Sequence, residues 1–79
     1  MLATLKLRKD QLGKFRKLAG IETDAALAAR MGIDAGNLSR VLRGAQQPGP
    51  RFIASLVAAF PGMDLDDLFE VVDEGRIPA

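Results

Sequence analysis

The apolar positions change their period after the first ten residues. Leu5 and Leu7 alternate with polar neighbours, which predicts a short, half-buried β-strand over residues 3–8. From Asp10 onward the apolar residues recur at helical spacing, and Gly20 is placed to end a first helix as its C-terminal cap. The residues expected on the buried face of this helix are Leu12, Phe15, Leu18 and Ala19.

Two short helices are expected next. Thr23 or Asp24 is placed to cap the second helix, which Gly32 ends. Asp34 is placed to cap a third helix, which Gly44 closes. The residues expected to face the core are Leu27, Ala28 and Met31 in the second helix and Leu38, Val41 and Leu42 in the third.

A fourth helix and a second strand complete the pattern. Pro50 fits the first turn of a helix, and Pro61 with Gly62 ends it. The inner face of this helix is expected to carry Phe52, Ile53, Leu56, Val57 and Phe60. Asp64 and Asp67 have the spacing of a capping arrangement for one more helical turn. Phe69–Val72 is rich in strand-forming residues, and its expected partner is the first strand, so that the two ends of the chain pair.

The predicted fold is therefore mainly α, with four to five short helices and a small two-stranded ribbon. At 79 residues the chain is expected to form one domain, with a helix-turn-helix core at 23–43 and an acidic C-terminal segment at 63–79. Apolar residues make up 48% of the chain and charged residues 27%, a balance typical of a folded protein. There is no cysteine, no apolar run long enough to span a membrane and no secretory signal pattern, so we expect a cytoplasmic location and no membrane partner.

Charge is divided unevenly along the chain. Residues 1–51 contain ten basic side chains and four acidic ones, a formal charge of +6, whereas residues 52–79 contain one basic and six acidic side chains, a formal charge of −5. This division favours a nucleic-acid face on the first part and a partner-facing or solvent-facing role for the second. With no His, Cys or Tyr and no evident cluster of catalytic or metal-binding residues, an enzyme is the least expected class, and no cofactor, metal or small-molecule ligand is expected.

Residues 24–43 carry the clearest functional pattern. The spacing of small and apolar residues is that of a tight helix-turn-helix, with the small residues at the crossing and the turn and the apolar ones behind the third helix: Ala28, Gly32, Ile33, Leu38 and Val41. With Gly44 and the Pro-Arg-Phe at 50–52, the stretch from the first helix to about Phe60 resembles the DNA-binding domain of lambda-type phage repressors and Cro proteins. Residues 48–60 with 67–72 more particularly resemble short regulators of actinobacteria and their phages.

The resemblance implies sequence-specific binding of double-stranded DNA, with the helix at 35–43 in the major groove. The residues it places against base edges are Ala35, Gly36, Asn37 and Arg40. Those it places against the DNA backbone are Thr23, Ser39, Arg43, Gln46, Gln47 and Arg51. Gly36 departs from the family pattern, which usually has a contacting side chain there, and either brings the helix closer to the bases or carries less sequence information. Asp24 also departs, since that position often holds a glutamine that donates to a phosphate.

Two functions follow from this interpretation. The first is a transcriptional regulator, expected to be a repressor, that binds as a homodimer because one small domain buries little surface on DNA. The second is an antitoxin or phage accessory protein that uses the same fold and its acidic tail to bind a protein partner. The basic residues of the first helix, Lys14, Arg16 and Lys17, and Arg30 of the second are interpreted mainly as solvated surface charges.

Overall fold

A computed structural model describes residues 3–73, which form a mainly helical structure with one antiparallel two-stranded ribbon, as the sequence predicts. Within these residues the elements run in the order β1 Ala3–Leu7, α1 Lys9–Ala19, α2 Asp24–Met31, α3 Ala35–Leu42, α4 Pro50–Ala59, α5 Leu65–Leu68 and β2 Phe69–Asp73. The last six residues of the predicted acidic segment lie outside the described residues. None of the helices in the described range is long and apolar enough to cross a membrane.

Left-handed glycines and polar N-caps set the helix ends. Gly20 and Gly32 end α1 and α2 with φ values of 73° and 72°, a conformation that costs other residues energy. Thr23, and not Asp24, caps α2, because its Oγ1 accepts a hydrogen bond from the amide of Ala26 at 3.1 Å. At the start of α5, the amide of Asp64 donates to the Asp67 carboxylate at 2.8 Å, which confirms the predicted capping arrangement.

The ribbon joins the two ends of the described chain. Leu7 lies opposite Phe69, and Leu5 lies opposite Val71. At the inner end, Leu7 and Phe69 are buried on the helices, and the amide of Arg8 donates to the carbonyl of Leu68 at 2.8 Å. At the outer end, Leu5 is only partly buried and Val71 is 74% exposed. The ribbon therefore extends past the core that supports it.

One apolar core contains side chains from all five helices and from the inner end of the ribbon. Its most completely buried side chains are Leu27, Leu38, Leu56, Leu68 and Phe69. Most residues expected to face the core are buried or packed against it, including all those named in α2, α3 and α4. Ile21, which was not among the expected core residues, is also buried between α1 and α2.

The predicted buried face of α1 is wrong in its last turn. Leu12 is buried and Phe15 packs against the core, but Leu18 is 82% exposed and Ala19 is also exposed. At 3.6 residues per turn, Leu18 is rotated by about 120° from Leu12 and so leaves the core face. Ala19 lies in the final turn, beside an open hollow lined in part by Phe60, where no element covers it.

Candidate nucleic-acid interface

The position of α3 is fixed from behind and at both ends. Leu38 and Val41 are buried, so the opposite side of this helix faces outward. The Asp34 carboxylate accepts a hydrogen bond from the amide of Asn37 at 3.2 Å and caps the first turn. At the other end, Gly44 has a φ of 76°, and its amide donates to the carbonyl of Val41 at 3.0 Å.

A three-residue turn orders α2 against α3. Gly32, Ile33 and Asp34 connect the two helices, and the amide of Ile33 donates to the carbonyl of Ala28 at 3.0 Å. Ala28 is buried and small, which lets another element approach α2 closely at this point. The sequence features expected of a tight turn between two helices are therefore present in the structure.

Three predicted contact residues are joined by hydrogen bonds on the outward side of α3. The Arg40 Nε donates to the Gln46 Oε1 at 3.1 Å, and the Gln46 Nε2 donates to the Asn37 Oδ1 at 3.3 Å. We call these three residues the polar triad. Arg40 and Gln46 are exposed and Asn37 is half-buried. Within residues 3–73 the two Nη groups of Arg40 have no hydrogen-bond partner, so they remain free to donate.

Sequence reasoning missed the triad. It assigned Asn37 and Arg40 to base edges and Gln46 to the DNA backbone, without linking them. Gln46 lies in the loop after α3, and a loop residue shows no periodicity that reveals its neighbours. The link appears only once Gly44 turns the chain back, so that the Ala45 amide donates to the Arg40 carbonyl at 2.9 Å.

Gly36 has a steric explanation in the structure. A Cβ atom at this position would lie 2.8 Å from the Asp34 Oδ2 and 3.4 Å from the Arg40 Nη1. The first distance is shorter than real Cβ contacts, so the capping carboxylate would have to move. The glycine thus leaves room for the N-cap and the guanidinium together, a reason that neither sequence interpretation of Gly36 contains.

Asp24 is held by an ion pair with α1. The Arg16 Nη1 lies 2.8 Å from the Asp24 Oδ1, and the Arg16 Nε donates to the carbonyl of Ile21 at 3.4 Å. The Arg16 side chain is only 18% exposed, so the interpretation of Arg16 as a solvated surface charge is wrong. Because the pair offsets the negative charge of Asp24, this aspartate repels a polyanion less than the sequence indicates.

The remaining predicted contact residues are distributed over α2, α3, α4 and the α3–α4 loop. Ala35 begins α3 and is exposed, whereas Ser39 is half-buried. Arg43 is the exposed C-cap of the same helix, and Arg51 is exposed in the first turn of α4. Two further predicted backbone contacts are also exposed. Thr23 caps α2, and Gln47 lies in the loop between α3 and α4.

The chemistry of this surface is that of hydrogen-bond donors and positive charge. Among residues 3–73 no group of three or more His, Cys, Asp or Glu side chains is arranged to hold a metal ion. Comparison of the chain with protein-family models, with curated proteins and with solved structures found no significant match.

Proposed function

We propose that the protein binds double-stranded DNA sequence-specifically by placing α3 in the major groove as the second helix of a helix-turn-helix. The single observation that carries the proposal is the polar triad, which presents a guanidinium and two amides outward from a helix whose other side is buried. An exposed helix with such side chains fits the width and the donor and acceptor pattern of the major groove.

Arg40 is the principal specificity residue in this proposal. Its free Nη groups suit the O6 and N7 acceptors of a guanine, the pair that arginine binds most often. The bond from its Nε to Gln46 restricts the side chain before DNA arrives, which lowers the entropy lost on binding. Asn37 retains its amide NH₂ as a donor, and the exposed Ala35 methyl suits contact with a thymine methyl.

The backbone contacts position the helix in the groove. Arg43 and Arg51 are exposed beside α3 and at the start of α4, where they would neutralise phosphates. The Thr23 hydroxyl accepts its capping bond through oxygen and so keeps its proton for a phosphate. Such binding suits a cytoplasmic transcriptional regulator, in the first instance a repressor, since a protein seated on a promoter blocks access to it.

The proposed assembly on DNA is a two-fold homodimer. Val71 is 74% exposed and Leu65 is 44% exposed beside the outer end of the ribbon, and these side chains line a shallow hollow with the partly buried Leu5. Arg8, Asp66 and Glu70 border the same hollow, and the Arg8 Nη1 donates to the Asp66 carbonyl at 2.9 Å. A second copy related by a two-fold axis would cover the apolar side chains.

The proposal is tested by selecting bound sequences from a random DNA pool and comparing variants on the selected site. Arg40→Ala is expected to lose about 1–3 kcal/mol of discrimination at one base position, because the bidentate contact is removed. Arg43→Ala is expected to weaken binding to all sequences similarly. Arg30→Ala, which removes an exposed charge elsewhere, is the control. An unchanged sequence preference in Arg40→Ala contradicts the assignment, and no enrichment of any sequence contradicts the function.

A second candidate is a protein-interaction module, such as an antitoxin or a phage accessory protein. The exposed Val71 and Leu65 favour it, since contiguous apolar exposure is typical of protein-binding surfaces. Sedimentation velocity separates the candidates. A wild-type homodimer that becomes monomeric in Val71→Lys supports the two-fold dimer, whereas a wild-type monomer at micromolar concentration favours a different protein partner.

A further inference from the structure

The first strand passes beside the loop that follows the candidate recognition helix. A hollow of about 180 Å³ lies between β1 and the end of α3. Lys6 and Lys9 line it from one side, and Gly44, Gln46 and Gln47 line it from the other. No local sequence pattern connects the two lysines with α3, because Lys6 lies in β1 and Lys9 at the start of α1.

The hollow is continuous with the polar triad through Gln46. Gln46, which forms hydrogen bonds with Arg40 and Asn37, also lines the hollow next to the lysines. A DNA backbone that passes Gln46 would therefore also lie close to Lys6 and Lys9.

The two lysines are uncommitted. Both are exposed, and neither forms an ion pair or side-chain hydrogen bond with the described residues. Glu70 lies directly opposite Lys6 in the ribbon register, on the same side of the ribbon, but the two side chains form no ion pair. Asp10, which follows Lys9 in α1, is the nearest acidic residue in sequence and does not line the hollow.

We propose that Lys6 and Lys9 form a phosphate-binding site for the DNA backbone that extends the footprint of α3 beyond the α3–α4 loop. This inference depends on the proposed DNA binding. An ammonium group is a compact charge on a flexible stem, which suits a phosphate whose exact position shifts with sequence. The site increases affinity and its salt dependence and leaves the base preference to Arg40 and its neighbours.

The test compares two doubly substituted proteins that lose the same charge. Lys6→Gln with Lys9→Gln removes the proposed site, and Lys14→Gln with Arg30→Gln removes two exposed charges from α1 and α2 that do not line the hollow. Fluorescence anisotropy on the selected DNA is measured over a range of salt concentrations, and thermal unfolding shows that each protein is folded. Phosphate ethylation interference then maps the contacts on each DNA strand.

The expected result is a change in salt slope confined to one variant. Each phosphate contact contributes about 0.9 to the slope of log K against log salt, so losing Lys6 and Lys9 should reduce it by about 1.8, with the selected sequence unchanged. Two phosphates at the outer edge of the footprint should also stop interfering. Equal slopes in both double variants, or slopes equal to wild type, would overturn the site while leaving DNA binding intact. Absence of wild-type binding to any DNA overturns the proposed function itself.

Discussion

The α2–α3 pair and the β1–β2 ribbon are both two-element units with one side on the core, and they leave opposite chemistry outside. The pair turns polar and basic residues outward, with Arg40 and Arg43 exposed and Leu38 fully buried. The ribbon buries Phe69 but leaves Val71 exposed at its outer end. A surface of the first kind suits a polyanion, and a surface of the second kind suits a protein.

The two units also differ in what holds them together. The pair is local, since its turn, its caps and its buried side chains all come from residues 23–44. The ribbon joins strands from opposite ends of the chain, and its inner end depends on the core formed by the helices between them. An isolated two-stranded ribbon is only marginally stable, so the ribbon exists because the helices support it.

The largest expected effect contrasts two residues on one side of β2. Phe69→Ala should lower the free energy of unfolding by about 3–5 kcal/mol, because it removes a buried aromatic side chain and leaves a cavity. Val71→Ala should change it by less than about 0.5 kcal/mol in the monomer, because Val71 is mostly exposed. Urea unfolding followed by circular dichroism measures both values.

Protein concentration sharpens this contrast. If a second copy covers Val71, the cost of Val71→Ala should grow with concentration, whereas the cost of Phe69→Ala should exceed it at every concentration. A loss in Val71→Ala as large as that in Phe69→Ala at low concentration would show that the outer end of the ribbon is buried in the monomer, contrary to the structure.

Local signals allowed most of the fold to be predicted from the sequence. Gly20, Gly32 and Gly44 each mark the end of a helix. Thr23 and Asp34 mark the starts of α2 and α3, so most helix boundaries could be predicted from the sequence. The exposure of Leu18 follows from helical periodicity, which rotates it by about 120° from Leu12. The exposure of Ala19, which shares the side of Leu12, could not be predicted, because periodicity does not show where the neighbouring element stops.

The candidate site was less predictable than the fold. The outward direction of Arg40 follows from Leu38 and Val41 behind it, which the sequence pattern contains. The bonds that join Arg40 to Gln46, the pairing of Arg16 with Asp24 and the position of Lys6 beside the loop depend on tertiary packing. These contacts connect separate elements, so no local pattern records them.

An intermediate effect tests how far the helical pair depends on its turn. Gly32→Ala should destabilise the protein by about 1–2 kcal/mol, because alanine must adopt a φ of 72°. Gly13→Ala, in the middle of α1, should stabilise it by about 0.5–1 kcal/mol, since a Cβ atom there meets nothing within 4 Å and alanine favours a helix. Thermal and urea unfolding of the two variants should differ in sign. A neutral or stabilising effect of Gly32→Ala would mean that the turn conformation contributes nothing.

The smallest expected change in stability lies on the outward side of α3. In Gly36→Ala two contributions to the free energy of unfolding have opposite signs. Alanine gains up to about 1 kcal/mol of helix propensity, as in Gly13→Ala. Its Cβ displaces the Asp34 carboxylate, which costs about 1 kcal/mol of capping. The net effect on the free energy of unfolding should therefore be close to zero.

Amide hydrogen exchange distinguishes two opposing effects of Gly36→Ala from no effect at all. In Gly36→Ala the amide of Asn37 should exchange faster than in wild type, because it loses its bond to Asp34. In Asp34→Ala the same amide should exchange faster and stability should fall by about 1 kcal/mol, with no compensating gain. If Gly36→Ala is instead as stabilising as Gly13→Ala and Asn37 stays protected, the carboxylate moves without cost and the cap does not explain the glycine.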